Sequence, residues 1–436
     1  MRRPSAHAVE CSEALAVSRR SLLSGSAASL ALWSLLPRSA IAGTRDPRLL
    51  TVILRGGLDG IAMIAPVGDP DYVRLRGGLA IPATGPTGGM PLEGLFALNH
   101  NMPFLHGLYG KREALMVHAV ATPYRGRSHF DGQDVLESGM PGVGRLEDGW
   151  MNRALAGLPA GGSAAPKKGL AMGAVVPLVM RGAAPVLSWI PKAYNLPLRE
   201  STIARLAELY GITDPKLAKA FADGLEIDRI STAAAGMGAA PPATPVKVGE
   251  IAKAAAPAAP PPPRPFRDFV DAAETAAKFL STADGPRIGA LSYNGWDTHA
   301  NEGAVQGQLG NRLAGLDAAI RALHDGLGPV WKDTVVLIVT EFGRTARVNG
   351  TDGTDHGTGM VALLVGGAVK GGRVIADWPG LADANLFENR DLKPTRDLRT
   401  VLKGVLRDHL GIPDGALSKT VFPDSAASKS LDGLIA

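Results

Sequence analysis

At 436 residues with an apolar fraction of 45%, the chain is long enough for one large α/β domain or two ordinary ones, and too rich in core-forming side chains to be disordered or fibrous. Its net charge of +5 is spread thinly, with no basic block of the kind that nucleic acid or an anionic membrane demands. The only cysteine, Cys11, sits near the N-terminus.

The first 42 residues read as a segment apart. Ser18-Arg19-Arg20-Ser21-Leu22-Leu23 precedes an apolar stretch, 27–36, too short to span a bilayer as a folded helix, and Ala40-Ile41-Ala42 is a small-x-small cleavage pattern. Paired arginines in this placement resemble the twin-arginine export signal, which implies the twin-arginine export machinery as a partner and the periplasm as destination. Cleavage after Ala42 removes five of the 46 bases and two of the 41 acids, so the mature net charge falls to +2. Cys11 goes with it. The mature chain, residues 43–436, then has no disulfide, no thiolate and no transmembrane segment, and any metal in it must be held by oxygen and imidazole.

Residues 49–54 form a buried-strand pattern that runs into Arg55-Gly56-Gly57-Leu58-Asp59-Gly60, where glycines let the backbone turn tightly and bring Asp59 near a ligand. A Gly-flanked turn with a solvated acid would look the same. Residues 66–98 are rich in Pro and Gly and read as loop with short structure. A helix over 99–112 and a strand over 113–120 follow, with His118 a core histidine. Next comes Tyr124-Arg125-Gly126-Arg127-Ser128-His129-Phe130-Asp131, a loop entering a helix that ends near Gly139. Ser128 with Asp131 three residues on is a variant capping box, and the same hydroxyl at the positive end of a helix, flanked by Arg125 and Arg127, is placed for nucleophilic work. Segment 142–236 carries helices, among them 201–210 and 216–225, and short strands without a chemical signature. Residues 239–265, dominated by Ala and Pro, read as an extended linker or insertion.

A helix over 266–280 and a strand over 287–293 lead to Gly295-Trp296-Asp297-Thr298-His299, where an acid and an imidazole two residues apart can cap a loop or converge on a cation. After a helix over 307–323, the apolar run 335–339 reads as a strand buried on both faces and ends on Thr340-Glu341-Phe342-Gly343-Arg344-Thr345, followed by Gly353-Thr354-Asp355-His356-Gly357. A strand over 360–365 and an amphipathic helix over 397–410 close the chain.

Asp59, Ser128, Asp297, His299, Glu341 and His356 all follow predicted strands, and ligands of open α/β sheets bind beyond the carboxyl ends of strands. These residues suit one or two divalent cations, with Ser128 or a metal-bound water as nucleophile and Arg344 or Arg127 as an anion clamp. Asp-Gly after the first strand, Ser-His-Phe-Asp, Gly-Trp-Asp-Thr-His, Thr-Glu-Phe-Gly-Arg-Thr and Gly-Thr-Asp-His-Gly, behind paired arginines, resemble an uncharacterised family of exported bacterial proteins in the alkaline phosphatase and sulfatase superfamily. The resemblance implies an α/β fold with a mixed, mostly parallel central sheet and helices on both faces. It also implies that Asp59, Asp297, His299, Glu341 and His356 hold metal and that Ser128 attacks a phosphate or sulfate ester. Phe342 departs from that pattern, standing where an imidazole belongs. One site from Asp297, His299 and His356 and a weaker one from Asp59, Ser128 and Glu341 are the expected outcome. Two functions follow: a metal-dependent hydrolase of small-molecule esters, or a non-catalytic binding protein that holds an envelope component.

Overall fold

The computed structural model describes residues 45–144, 146–159, 169–173, 175–189 and 266–436, with scattered positions between 203 and 225. The segment 1–42 expected to be an export signal, the Ala/Pro-rich stretch 239–265 and much of the two helices expected within 201–225 lie outside the described residues. Asp46–Ala436 form one compact unit.

Its centre is a nine-stranded sheet. In chain order the strands are β1 (Arg48–Arg55), β2 (Ala114–Ala121), β3 (Gly169–Met172), β4 (Val186–Trp189), β5 (Ile288–Asn294), β6 (Thr334–Thr340), β7 (Met360–Val365), β8 (Arg373–Ile375) and β9 (Arg396–Asp397). They lie side by side as β8-β2-β7-β6-β1-β5-β3-β4, with β9 also paired to β2. Every pair is parallel except those made by β7, which runs antiparallel to both β6 and β2. The carboxyl ends of β1, β2, β5 and β6 therefore share one rim with the amino end of β7. This mixed, mostly parallel α/β architecture agrees with the sequence reading.

The helices are α1 (Gly60–Met63), α2 (Tyr72–Arg76), α3 (Pro103–Gly110), α4 (His129–Ser138), α5 (Trp150–Ala156), α6 (Arg267–Ser281), α7 (Gln308–Leu327) and α8 (Leu398–Leu410). Alternation along the central strands divides two cores. Leu50, Val52 and Leu54 of β1 pack with α3, α6 and α7, while Leu49 and Ile53 pack with α5 and α8. A strand apolar on both faces is what a doubly covered sheet requires. The helix expected over 99–112 is shorter because Pro103 opens it, its missing N–H costing nothing in the first turn. His118 is indeed a core histidine: its Nδ1 accepts from the Ala119 N–H, its Nε2 donates to the Ile64 carbonyl, and burial holds its pKa down to about 4.

The 341–359 connection is folded back on itself. Arg344 and His356 pair as an antiparallel bridge, and the Gly357 N–H donates to the Gly343 carbonyl at 2.8 Å. The two late motifs of the sequence thus meet above the rim. No helix among the described residues is long and apolar enough to cross a membrane.

Candidate metal centre

Three elements bring the centre together. Asp297 lies three residues beyond β5, His129 is the first residue of α4, and His356 lies just before β7. His356 reaches the rim because β7 is antiparallel, so the residues before it, not after it, face the site. One ligand atom from each of His129, Asp297 and His356 lies within 4.8 Å of the others, a group able to hold a metal ion.

The three imidazoles around Asp297 are oriented alike. His129 turns Nδ1 to Glu341 Oε1 at 2.8 Å, His299 turns Nδ1 to Asp355 Oδ1 at 3.0 Å, and His356 turns Nδ1 to the Arg127 carbonyl at 2.9 Å. Each Nδ1 then carries the proton and leaves the Nε2 lone pair for the centre, the arrangement that carboxylates and carbonyls impose on metal-binding histidines. Nε2 of His356 and of His299 each lie 3.1 Å from Asp297 Oδ1, and they are 3.0 Å from one another. His129 Nε2 is 3.4 Å from Asp297 Oδ2 and is buried without a hydrogen-bond partner. Two lone pairs facing each other at 3.0 Å repel unless a proton or a metal ion lies between them. Spacings of 3.0–3.4 Å also match the edge of about 3.3 Å in a tetrahedron with metal–ligand bonds of about 2.0 Å. The donor set fits a divalent cation.

The surroundings set the charges. Burial alone would push the Asp297 carboxyl up, but Arg344, His299 and His129 more than offset it and hold the group below the ordinary carboxylate range. Burial and the neighbouring His129 lower His356, favouring the neutral, ligating form. The Glu341 hydrogen bond, working against burial, raises His129. Phe342 lies against His129 and His356, with ring centroids 4.9 and 5.2 Å away, as an apolar wall.

The fate of the sequence candidates is mixed. Asp297 and His356 are in the group, and His299 contacts both from a half-exposed position. Glu341 is fully buried and does not face the centre directly. It accepts from His129, from the Gly56 N–H at 2.8 Å and from Gln133 at 3.2 Å, so it orients His129. Asp59 corrects the sequence reading. It caps α1 through the Ile61 and Ala62 N–H groups and forms a buried ion pair with Arg76, so its lone pairs are committed inside the fold. Of the second group expected from Asp59, Ser128 and Glu341, Asp59 is turned to Arg76 and the α1 N–H groups and Glu341 to His129, Gly56 and Gln133. Ser128 is the N-cap of α4, its Oγ 3.5 Å from the Asp131 N–H, next to His129.

The two arginines expected to clamp an anion are occupied. Arg344 is buried, donates to Asp297 Oδ1 at 2.6 Å and binds both oxygens of Thr354, and so fixes Asp297. Arg127 pairs with Glu388 and Asp391, and its contribution to the centre is its carbonyl. The residue that sequence reasoning missed is His129. Its signal was present in Ser-His-Phe-Asp: an imidazole at the first position of a helix that starts beyond a strand's carboxyl end.

The glycines after β1 serve close approach. A Cβ at Gly56 would lie 2.6 Å from the Asp297 nitrogen, and one at Gly57 would lie 2.8 Å from the Phe342 ring. Both have positive φ. They let the Asp297 and Phe342 loops close over β1, a role different from presenting Asp59.

Residues 112–421 match the model of a family described as protein of unknown function (DUF1501). The chain belongs to this family. The DUF1501 span contains His129, Asp297, His299, Glu341 and His356, while Asp59 precedes it. No curated protein matches the chain. Among solved structures, Ps i-CgsB is 12% identical over 89% of this chain and 77% of its own, with a TM-score of 0.37. The phosphonate monoester hydrolase of Agrobacterium radiobacter is 13% identical over 84% and 74%, with a TM-score of 0.32.

Proposed function

We propose that this chain is an exported, metal-dependent hydrolase of phosphate or sulfate esters. The observation that carries the reading is the common orientation of His129, His299 and His356, each with Nδ1 anchored and Nε2 turned to Asp297. His129, Asp297 and His356, with His299 beside them, would hold a divalent cation, which when bound would supply Lewis-acid charge. The chain's own residues do the rest. Arg344 keeps Asp297 ionised and in place, and Glu341 sets the tautomer of His129. Phe342 excludes water from one side. Ser128, at the N-terminus of α4, attacks phosphorus or sulfur as its proton passes to solvent base. The bond to the alcohol oxygen breaks, the alcohol leaves protonated, and water later releases the seryl ester. Export is supported by Arg19-Arg20 ahead of the apolar stretch 27–36.

Elemental analysis of the purified protein, with a screen of aryl phosphates, phosphodiesters and aryl sulfates, tests the reading. About one divalent ion per chain, its loss in Asp297→Asn, and turnover lost in Ser128→Ala are expected. Absence of metal uptake overturns it. Phe342, packed on two of the imidazoles, favours a second reading, a binding protein with one metal and no turnover, and metal uptake without hydrolysis of any ester class would select it. Precursor processed normally in Arg19→Lys with Arg20→Lys would defeat export by the twin-arginine route.

A further inference from the structure

Beside the centre lies a cavity of about 420 Å³, walled by α4 on one side and by the segment after β3 on the other. Its polar wall adjoins the metal group. Gln133 lines the cavity and donates to Glu341, the partner of His129, while accepting from Arg55 at 2.8 Å. Phe130 is the neighbour of His129 in sequence, and Asn294 stands at the end of β5, three residues before Asp297. The opposite wall is made by Met172, Val176, Pro177 and Leu178 together with Arg181, and Phe130 and Val175, which also line the cavity, are 88% and 69% exposed. Of the two arginines that line the cavity, Arg55 is paired with the buried Glu137 and Arg181 donates from Nε to the Val176 carbonyl.

We infer that this cavity is the subsite for the organic portion of the ester, and that the portion it takes is an aryl group. This rests on the proposed function and adds the substrate class to it. The volume falls in the range of small-molecule sites, about 300–1,000 Å³, and an apolar face made by Phe130, Met172, Val175, Val176, Pro177 and Leu178 stands beside polar and charged groups. An ester whose charged head sits at the Asp297 group can direct its organic part into this cavity, which shares α4 with the centre. A planar ring gains there what the free protein leaves unmade: a face for Phe130, which has no aromatic partner among the described residues, and a thioether from Met172. A small alkyl group would leave Phe130 and Val175 in water as they are now.

Isothermal titration of the purified, zinc-supplemented protein with phenylphosphonate and methylphosphonate tests this. Both carry the same charged head and neither has an ester bond to lose. Phenylphosphonate is expected to bind at least about tenfold more tightly. In Phe130→Ala with Val175→Ser the ratio should fall toward one. Both side chains are exposed, so the variant folds, and its unchanged melting temperature confirms that. Equal affinities in the parent protein, or a preference that survives the double substitution, overturn the aryl subsite and leave the metal-centre reading intact. Binding of neither phosphonate overturns that reading and the subsite with it.

Discussion

Two clusters of acids and bases lie near the same rim and have opposite characters. In one, Asp59, Arg76 and Glu302 are fully buried, and Asp59 is saturated by a guanidinium and two backbone N–H groups. In the other, Asp297 is 40% exposed and is approached by three imidazoles whose remaining nitrogens are already anchored. Both acids follow a central strand. The difference is the reach of their neighbours: α2 delivers Arg76 to Asp59 and closes it off, whereas α4 and the 341–359 connection deliver imidazoles to Asp297 and leave one side open. A buried acid paired to a fixed cation stabilises a fold, while an acid among neutral imidazoles invites a mobile cation. Arg344 joins the two, donating to Asp297 on one side and to Thr354 on the other, and the Thr354 hydroxyl donates to Glu302 at 2.7 Å.

The largest expected effect breaks the closed cluster. Arg76→Met leaves two buried carboxyls without their cation and should cost about 3–5 kcal/mol in urea denaturation. A variant as stable as the parent would show that the pair does not hold the fold. Asp297→Asn should do the reverse, abolishing metal uptake with a stability change within about 1 kcal/mol for the metal-free protein, since its acid is part-exposed. Comparable destabilisation by Arg76→Met and Asp297→Asn would erase the distinction. Glu341→Gln keeps the shape but weakens the anchor of His129, so metal affinity should fall roughly 10–100-fold, measured by chelator competition. Unchanged affinity would remove the orienting role.

The smallest effect is a pH slope. Burial, with the Asp59 charge nearby, raises the Glu302 pKa well above its ordinary 4.5. The folded state then keeps a proton that the unfolded state releases, so stability falls as pH rises through that interval. His118 acts oppositely, its pKa of about 4 against 6.5 in the unfolded chain making stability fall as pH drops through that window. Above pH 6.5 only the Glu302 slope remains of these two, and Glu302→Gln should flatten it in denaturation curves taken at rising pH. A slope that persists unchanged in the variant would assign it elsewhere.

Most strands were legible because their apolar runs are continuous. A strand covered on both faces has no alternation to hide it, and 335–339 reads as β6 almost to the residue. The α4 terminus was also legible, since Ser128 and Gly139 carry cap chemistry in their own side chains and φ preference. Asp297 and His356, which the structure brings together with His129, were singled out by chemistry and motif. Asp59 was misassigned because nothing in Gly-Leu-Asp-Gly announces Arg76, which stands 17 residues on and meets it only when α2 packs across the loop. His129 was passed over beside a serine that has a simpler capping role.

The amino-acid sequence alone determined the strands, the helix caps and the kinds of donor at hand, because these depend on local periodicity and on side-chain chemistry. Tertiary structure alone decided which donors meet. It set β7 antiparallel, so that His356 enters the rim from the amino end of its strand, and it turned Glu341 toward His129. It sealed Asp59 with Arg76. Those outcomes rest on contacts between residues up to 285 positions apart, such as Gly56 with Glu341, and no local pattern encodes a distance of that kind.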